Sequence, residues 1–281
     1  MRRLRLPILI LALVVALGAY YYHFENRVRL ETVEFRSHLA GRALPYRVLL
    51  PPGYRLITSR QTRYPVVYLL HGHGHNHTSW TTETSLTRYA ATHQLIIVMP
   101  TGDNGWYTDS ATVTADKFET YILEELIPDV QSRFRTIETR AGRTVAGLSM
   151  GGYGALKFGF KHPEAFAVAA SLSGALDAAA RTDDPSIMRT FGEADSPVRA
   201  ANDLFRLARD FPAERRGLLP FFYFDCGADD PWMESNRALA SILLERKLTH
   251  EFRQLPGDHI WPYWDRQVQE VLRLAAERTT P

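Results

Sequence analysis

The segment "TVAGLSMGGYGALKFG", residues 144–159, sets Ser149 between Gly147 and Gly151 where an apolar run gives way to helical spacing. This is the G-x-S-x-G pattern. In it a strand turns into a helix so sharply that the serine takes a strained backbone conformation and its hydroxyl stands clear of the sheet. Side chains at the flanking positions would collide, which favours glycine there. The helix start favours negative charge nearby. The chemistry implied is attack by a serine oxygen on a carbonyl. Neither G-x-G-x-x-G nor G-x-x-x-x-G-K-S/T can be laid on these glycines, so they do not read as a nucleotide cradle.

A serine nucleophile needs a base and a group to orient it, and on a doubly wound sheet the chain order is serine, acid, histidine. In the final third of the chain, His250 begins the apparent strand "HEFRQL", whereas His259 follows it in "LPGDHIWPYW", a loop loosened by Pro256 and Gly257. His259 is therefore the expected base. For the acid, "FFYFDCGADDPWM" offers Asp225 inside the apolar run, pointed aside, and Asp229 and Asp230 in the loop after it. Asp230 is preferred, with Asp229 capping the next helix, and Asp177 is an alternative one strand earlier. The developing oxyanion would meet the backbone amides of Met150, directly after the nucleophile, and of His73, in the loop after "YLLHG".

The run "HGHGHNH", residues 71–77, offers a rival chemistry, because four imidazoles at alternate positions after a strand suggest a zinc hydrolase. The aspartate of an H-x-H-x-D-H pattern is missing, there is no H-E-x-x-H, and a lone Cys226 makes no cysteine cluster. The preferred reading assigns no metal and no cofactor.

These residues need elements to position them. "LETVEFRS" (30–37) and "LPYRVLLP" (44–51) alternate at period two and read as an antiparallel pair with one face wet. "VVYLL", "LIIVM", "TVAGL", "FAVAASL" and "FFYFDC" are continuous apolar runs, as in strands covered on both faces. Helical spacing occupies about 114–134, 150–161, 197–210, 232–247 and 261–278. The alternation predicts an α/β fold with a mostly parallel, doubly wound sheet, whose ligands bind beyond the carboxyl ends of the strands.

Lys and Arg total 33 against 31 Asp and Glu, a net charge of +2, and the arginines are scattered, so nucleic acid is not an expected partner. The amino terminus departs from this balance: Arg2, Arg3 and Arg5 precede an uncharged, mostly apolar stretch from Leu6 to Tyr22. That reads as a membrane anchor over residues 1–24, ahead of a catalytic domain over 25–281. The arginines would hold the amino end in the cytoplasm and place the body in the periplasm or outside. A signal peptide cleaved near Ala16 and Gly18 is the alternative. The lone Cys226 permits an oxidising compartment without demanding one.

Taken together, "YRVLLPPGY", "VVYLLHGHGHNHTSW", "MPTGDNGWYTDS", "AGLSMGGYGALKFGFKHPEAFAVAASLSGALD", "DCGADD" and "PGDHIWPYW" resemble the esterase D-like branch of α/β-hydrolases, over roughly residues 30–275. That branch includes S-formylglutathione hydrolases, feruloyl and acetyl xylan esterases, and mycolyltransferases of the antigen 85 type. The resemblance implies an α/β-hydrolase fold with Ser149 as nucleophile, His259 as base, Asp230 as acid, and the oxyanion on the amides of His73 and Met150. It implies a carboxylic ester hydrolase working through an acyl-enzyme on an exported acyl ester, attached to the cell envelope or to polysaccharide. An acyltransferase with the same residues is the alternative. Trp80, Trp106, Tyr107, Trp232 and Trp261 fall in or beside the strand-end loops and are expected to line the substrate cleft.

Overall fold

The structure, a computed structural model, describes residues 5–279. Among these the strands are β1 (Arg29–Val33), β2 (Tyr46–Leu50), β3 (Val66–Leu70), β4 (Ile96–Pro100), β5 (Arg143–Leu148), β6 (Val168–Leu172), β7 (Phe221–Gly227) and β8 (His250–Leu255). They form one sheet in the order β1-β2-β4-β3-β5-β6-β7-β8. β2 runs antiparallel to both β1 and β4, and every pairing from β4 to β8 is parallel. The five continuous apolar runs all became strands between helical layers, since only covered strands can be apolar on both faces.

β1 alternates between half-buried and exposed residues, as expected of an edge, but β2 does not have a wet face. Tyr46, Val48 and Leu50 enter the core on one side of the sheet and Leu49 the core on the other. Arg47, the polar residue of the alternation, is half-buried and donates to Thr81 Oγ1 at 2.5 Å, under the short helix Ser79–Glu83. A single hydrogen-bonded arginine thus mimicked a solvent-facing pattern.

One core joins the inner residues of β2, β3, β5 and β7 to the helical segment 118–133 and the helices Met150–Lys161, Leu204–Asp210 and Met233–Glu245. The other lies under the helices Leu86–Ala90 and Trp261–Arg278. The expected helix over 197–210 is divided, because the Asp203 carboxylate accepts the amides of Phe205 and Arg206 and starts a new helix. The segment 118–133 contains a π-helical stretch, Tyr121–Leu126. The helix Pro185–Phe191, begun by Asp184, has no clear sequence periodicity and was not anticipated.

At the amino end a helix does form, Arg5–Glu25. Among the described residues, however, no helix is long and apolar enough to cross a membrane, and the expected transmembrane anchor is not supported. Arg2 and Arg3, on which the expected orientation depended, lie outside the described residues.

Two buried polar assemblies fix the strand-end loops. In the first, Lys157, fully buried on the helix Met150–Lys161, donates to Glu119 at 2.7 Å, to the carbonyl of Tyr107 at 2.5 Å and to Thr108 Oγ1 at 2.8 Å. Burial pushes its ammonium down to about 8, with Glu119 opposing the shift. In the second, His71, buried at the end of β3, accepts the Gly102 amide through Nε2 at 2.9 Å, so Nδ1 carries the proton donated to the Gly72 carbonyl at 2.8 Å. That one neutral tautomer ties the loop after β3 to the loop after β4.

Burial lowers the His71 pKa to about 4 from its ordinary 6.5. The unfolded chain therefore binds a proton that the folded protein rejects between those values, and stability is full above about pH 6.5 and lost as pH falls towards 4. Denaturant unfolding of wild type and His71→Gln across this window should show a difference that narrows in acid, with up to about 3 kcal/mol of the wild-type loss absent from the variant. Parallel pH dependences would contradict the assignment.

Candidate active site

The turn after β5 is where the backbone comes closest to itself. A Cβ on Gly147 would lie 2.5 Å from the Gly151 carbonyl carbon, and one on Gly151 would lie 2.5 Å from the carbonyl oxygen of Leu70 in β3. Between them Ser149 has φ 51° and ψ −116°, a conformation unfavourable for any residue but glycine. It is held by its amide, which donates to the Leu172 carbonyl at 3.0 Å, and by its carbonyl, which accepts from Tyr153 and Ala175.

His259, in the loop between β8 and the helix Trp261–Arg278, places Nε2 3.1 Å from Ser149 Oγ and Nδ1 2.9 Å from Asp230 Oδ2. The Asp230 side chain is fully buried, and its Oδ1 accepts the Trp232 amide at 2.8 Å. Burial alone would raise this carboxyl, but the hydrogen bonds from His259 and Trp232 outweigh it and hold the pKa below the ordinary carboxylate value. Asp230 is thus an anion against the imidazole, as needed to fix the tautomer that leaves Nε2 free to accept a proton. The Trp264 ring meets the imidazole edge to face at 4.9 Å.

The other carboxylates separate from this line. Asp229 is exposed, and the turn into the next helix is made by Asp230 itself, so the capping role expected of Asp229 falls elsewhere. Asp225 is fully buried between the hydroxyls of Tyr263 and Tyr223, at 2.7 and 2.8 Å. Burial pushes its pKa up to about 7. Asp177 is half-buried and, among the described residues, makes no hydrogen bond to His259, whose Nδ1 is taken by Asp230.

Met150 opens the helix, so its amide has no carbonyl a turn behind it to donate to. His73 is exposed in the loop after β3, and among the described residues its amide has no acceptor. The next amide, Gly74, donates to Asn104 Oδ1 at 2.7 Å and anchors that loop.

The imidazoles of the 71–77 run diverge. Both ring nitrogens of His71 are occupied, His75 packs against Trp261 at 5.0 Å, and His77 Nδ1 lies 3.1 Å from Thr101 Oγ1. Among the described residues no three His, Cys, Asp or Glu side chains gather where they could hold a metal ion.

A cavity of about 680 Å³ opens over Ser149. Trp106, Trp232 and Trp261 line it, together with Trp264, which the sequence reading had not singled out. Trp80 and Tyr107 do not line it. Trp80 is wholly buried, donates to the Leu70 carbonyl at 3.1 Å and supports Trp261 from beneath. Tyr107 is wholly buried and donates to the His71 carbonyl at 3.0 Å. Arg181 and Asp184, from the segment between β6 and β7, add a polar edge that no motif signalled.

Comparison with known proteins bears on the family and the fold. A family model described as "Putative esterase" matches residues 37–274. An esterase of Mycobacterium tuberculosis is 32% identical over 265 residues, covering 84% of this chain but only 57% of the relative. An acetyl esterase of Caldicellulosiruptor saccharolyticus is 27% identical, over 72% of this chain and 79% of the relative. Among solved structures, a fluorophosphonate-binding serine hydrolase of Staphylococcus aureus superposes with a TM-score of 0.80 at 27% identity, covering 89% of this chain and 99% of that one. The strand order, with its antiparallel β2, is that of the α/β-hydrolase fold, and the chain belongs to this family of esterases.

Proposed function

We propose that the chain is a serine carboxylic-ester hydrolase with Ser149 as nucleophile, His259 as base and Asp230 as the acid that orients it. The observation carrying this reading is the continuous hydrogen-bond line from Asp230 through His259 to Ser149 Oγ, 2.9 and 3.1 Å, on a strained turn at the sheet's carboxyl edge. The serine hydrolase among the structural relatives supports it. His259 Nε2 takes the hydroxyl proton as Ser149 Oγ attacks the ester carbonyl, and the oxygen that gains charge turns to the amides of His73 and Met150. Collapse breaks the ester bond, the leaving alcohol takes the proton from His259, and the acyl group stays on Ser149. Water repeats the sequence with His259 again as base, freeing the acid.

The substrate is an acyl ester whose apolar or aromatic part packs among Trp106, Trp232 and Trp261, and whose polar part meets Arg181 and Asp184. An ester carried on polysaccharide or cell envelope fits this division. Arg2, Arg3 and Arg5 ahead of an apolar stretch have the charged start and apolar middle of a signal peptide, which supports export of the catalytic domain.

Hydrolysis of 4-nitrophenyl acetate, with free acid released in step with ester consumed, is the expected activity. Ser149→Ala should lower kcat by about 10⁶-fold while leaving the thermal midpoint within a few degrees. The same rate in Ser149→Ala as in wild type would refute the assignment. Separately, Asp230→Asn keeps the shape but favours the wrong imidazole tautomer, and should cost about 10⁴-fold in kcat. A loss under tenfold would remove Asp230 from the mechanism.

A further inference from the structure

A second cavity, about 540 Å³, lies beside the first and is lined by Arg42, Asp103, Asn104, Asp116, Phe118 and Arg189 among others. The two cavities share walls. Trp106 and Asp184 face the first, while their chain neighbours Gly105, Pro185 and Ser186 face the second. Hydrogen bonds tie the partition together: Trp106 Nε1 donates to Ser186 Oγ at 3.2 Å, and that hydroxyl donates to Asp184 Oδ1 at 2.6 Å. Backbone strain gathers in the same loop, with Asp103, Trp106 and Tyr107 at φ 41°, 52° and 50°. Strain of this kind persists where a functional arrangement over-determines it.

The lining has its own chemistry. Arg42 donates to Asp103 at 2.5 Å and lies 3.9 Å from Asp116, while Arg189 donates to Asp116 at 2.9 Å. Each guanidinium is matched by a carboxylate, so neither an anion nor a cation finds a net countercharge. Hydrogen-bonding capacity is what remains. Arg42 Nε and Nη1, Arg189 Nη1 and Asn104 Nδ2 have no partner among the described residues, and neither does the acceptor Asp103 Oδ1. Mixed donors and acceptors held in place by ion pairs suit hydroxyl groups, which donate and accept at once.

We infer that this second cavity is a subsite for an uncharged, polyhydroxylated segment, the sugar units next to the one whose ester lies over Ser149. The inference rests on the ester-hydrolase reading for its direction along the substrate. Its occupancy of the cavity stands independently of that reading.

The test uses the full chain. Arg189→Ala and Arg42→Gln should leave the kinetic constants for 4-nitrophenyl acetate, which reaches only the first cavity, unchanged. For O-acetylated xylohexaose they should raise KM at least fivefold at constant kcat. Calorimetric titration of Ser149→Ala with unesterified xylohexaose and cellohexaose should show saturable binding, lost when Arg189→Ala is added. If neither ester is hydrolysed but the titration behaves as stated, the ester-hydrolase reading fails and the subsite stands. If neither hexaose binds, or if the variants change both esters equally or neither, the subsite is overturned.

Discussion

Backbone packed directly on backbone behind Ser149 is the constraint on which the site depends. Gly147 and Gly151 leave no room for even one methyl group between the turn after β5 and the carbonyls of β3. That closeness forces φ 51° on the serine and sets Met150 as the first residue of its helix. It also brings the loop after β3, with the His73 amide, alongside the same turn. The strain at Ser149 is held by neighbours that leave the chain no alternative: the Leu172 carbonyl on one side, and Tyr153 and Ala175 on the other.

Much of this was legible in the sequence, for identifiable reasons. Ser149, Asp230 and His259 stand in fixed chain order behind apolar runs, and a parallel sheet brings the ends of such runs to one edge whatever the intervening length. The strands were legible because residues covered on both faces must be apolar throughout. β2 misled because Arg47 is hydrogen-bonded under a helix rather than solvated, and alternation alone cannot distinguish the two. The short helices Ser79–Glu83 and Pro185–Phe191 were missed because each is too brief to show a period.

The pocket was the least legible part. An aromatic residue in a strand-end loop can face the cavity or face the core, and spacing does not decide which. Trp106 and Trp261 face the cavity, while Trp80 and Tyr107 turn under it and spend their polar atoms on the carbonyls of Leu70 and His71. Likewise the histidine run looked like a ligand set in sequence, yet His71 is a neutral brace with both nitrogens occupied. In each case the deciding factor was a backbone partner at the end of another strand or in the loop just after it. The amino-terminal helix shows a different limit, since a composition suited to a bilayer did not yield, among the described residues, an apolar helix long enough to cross one.

The chain contains five tryptophans. Trp106, Trp232, Trp261 and Trp264 line the cavity over Ser149, and Trp80 packs against Trp261 at 5.6 Å. No indole belongs to a remote part of the fold, so the tryptophan emission of the protein originates at and just beneath the cavity over Ser149. A change in that emission, including any quenching by an occupant, is a local signal from the site rather than an average over the molecule.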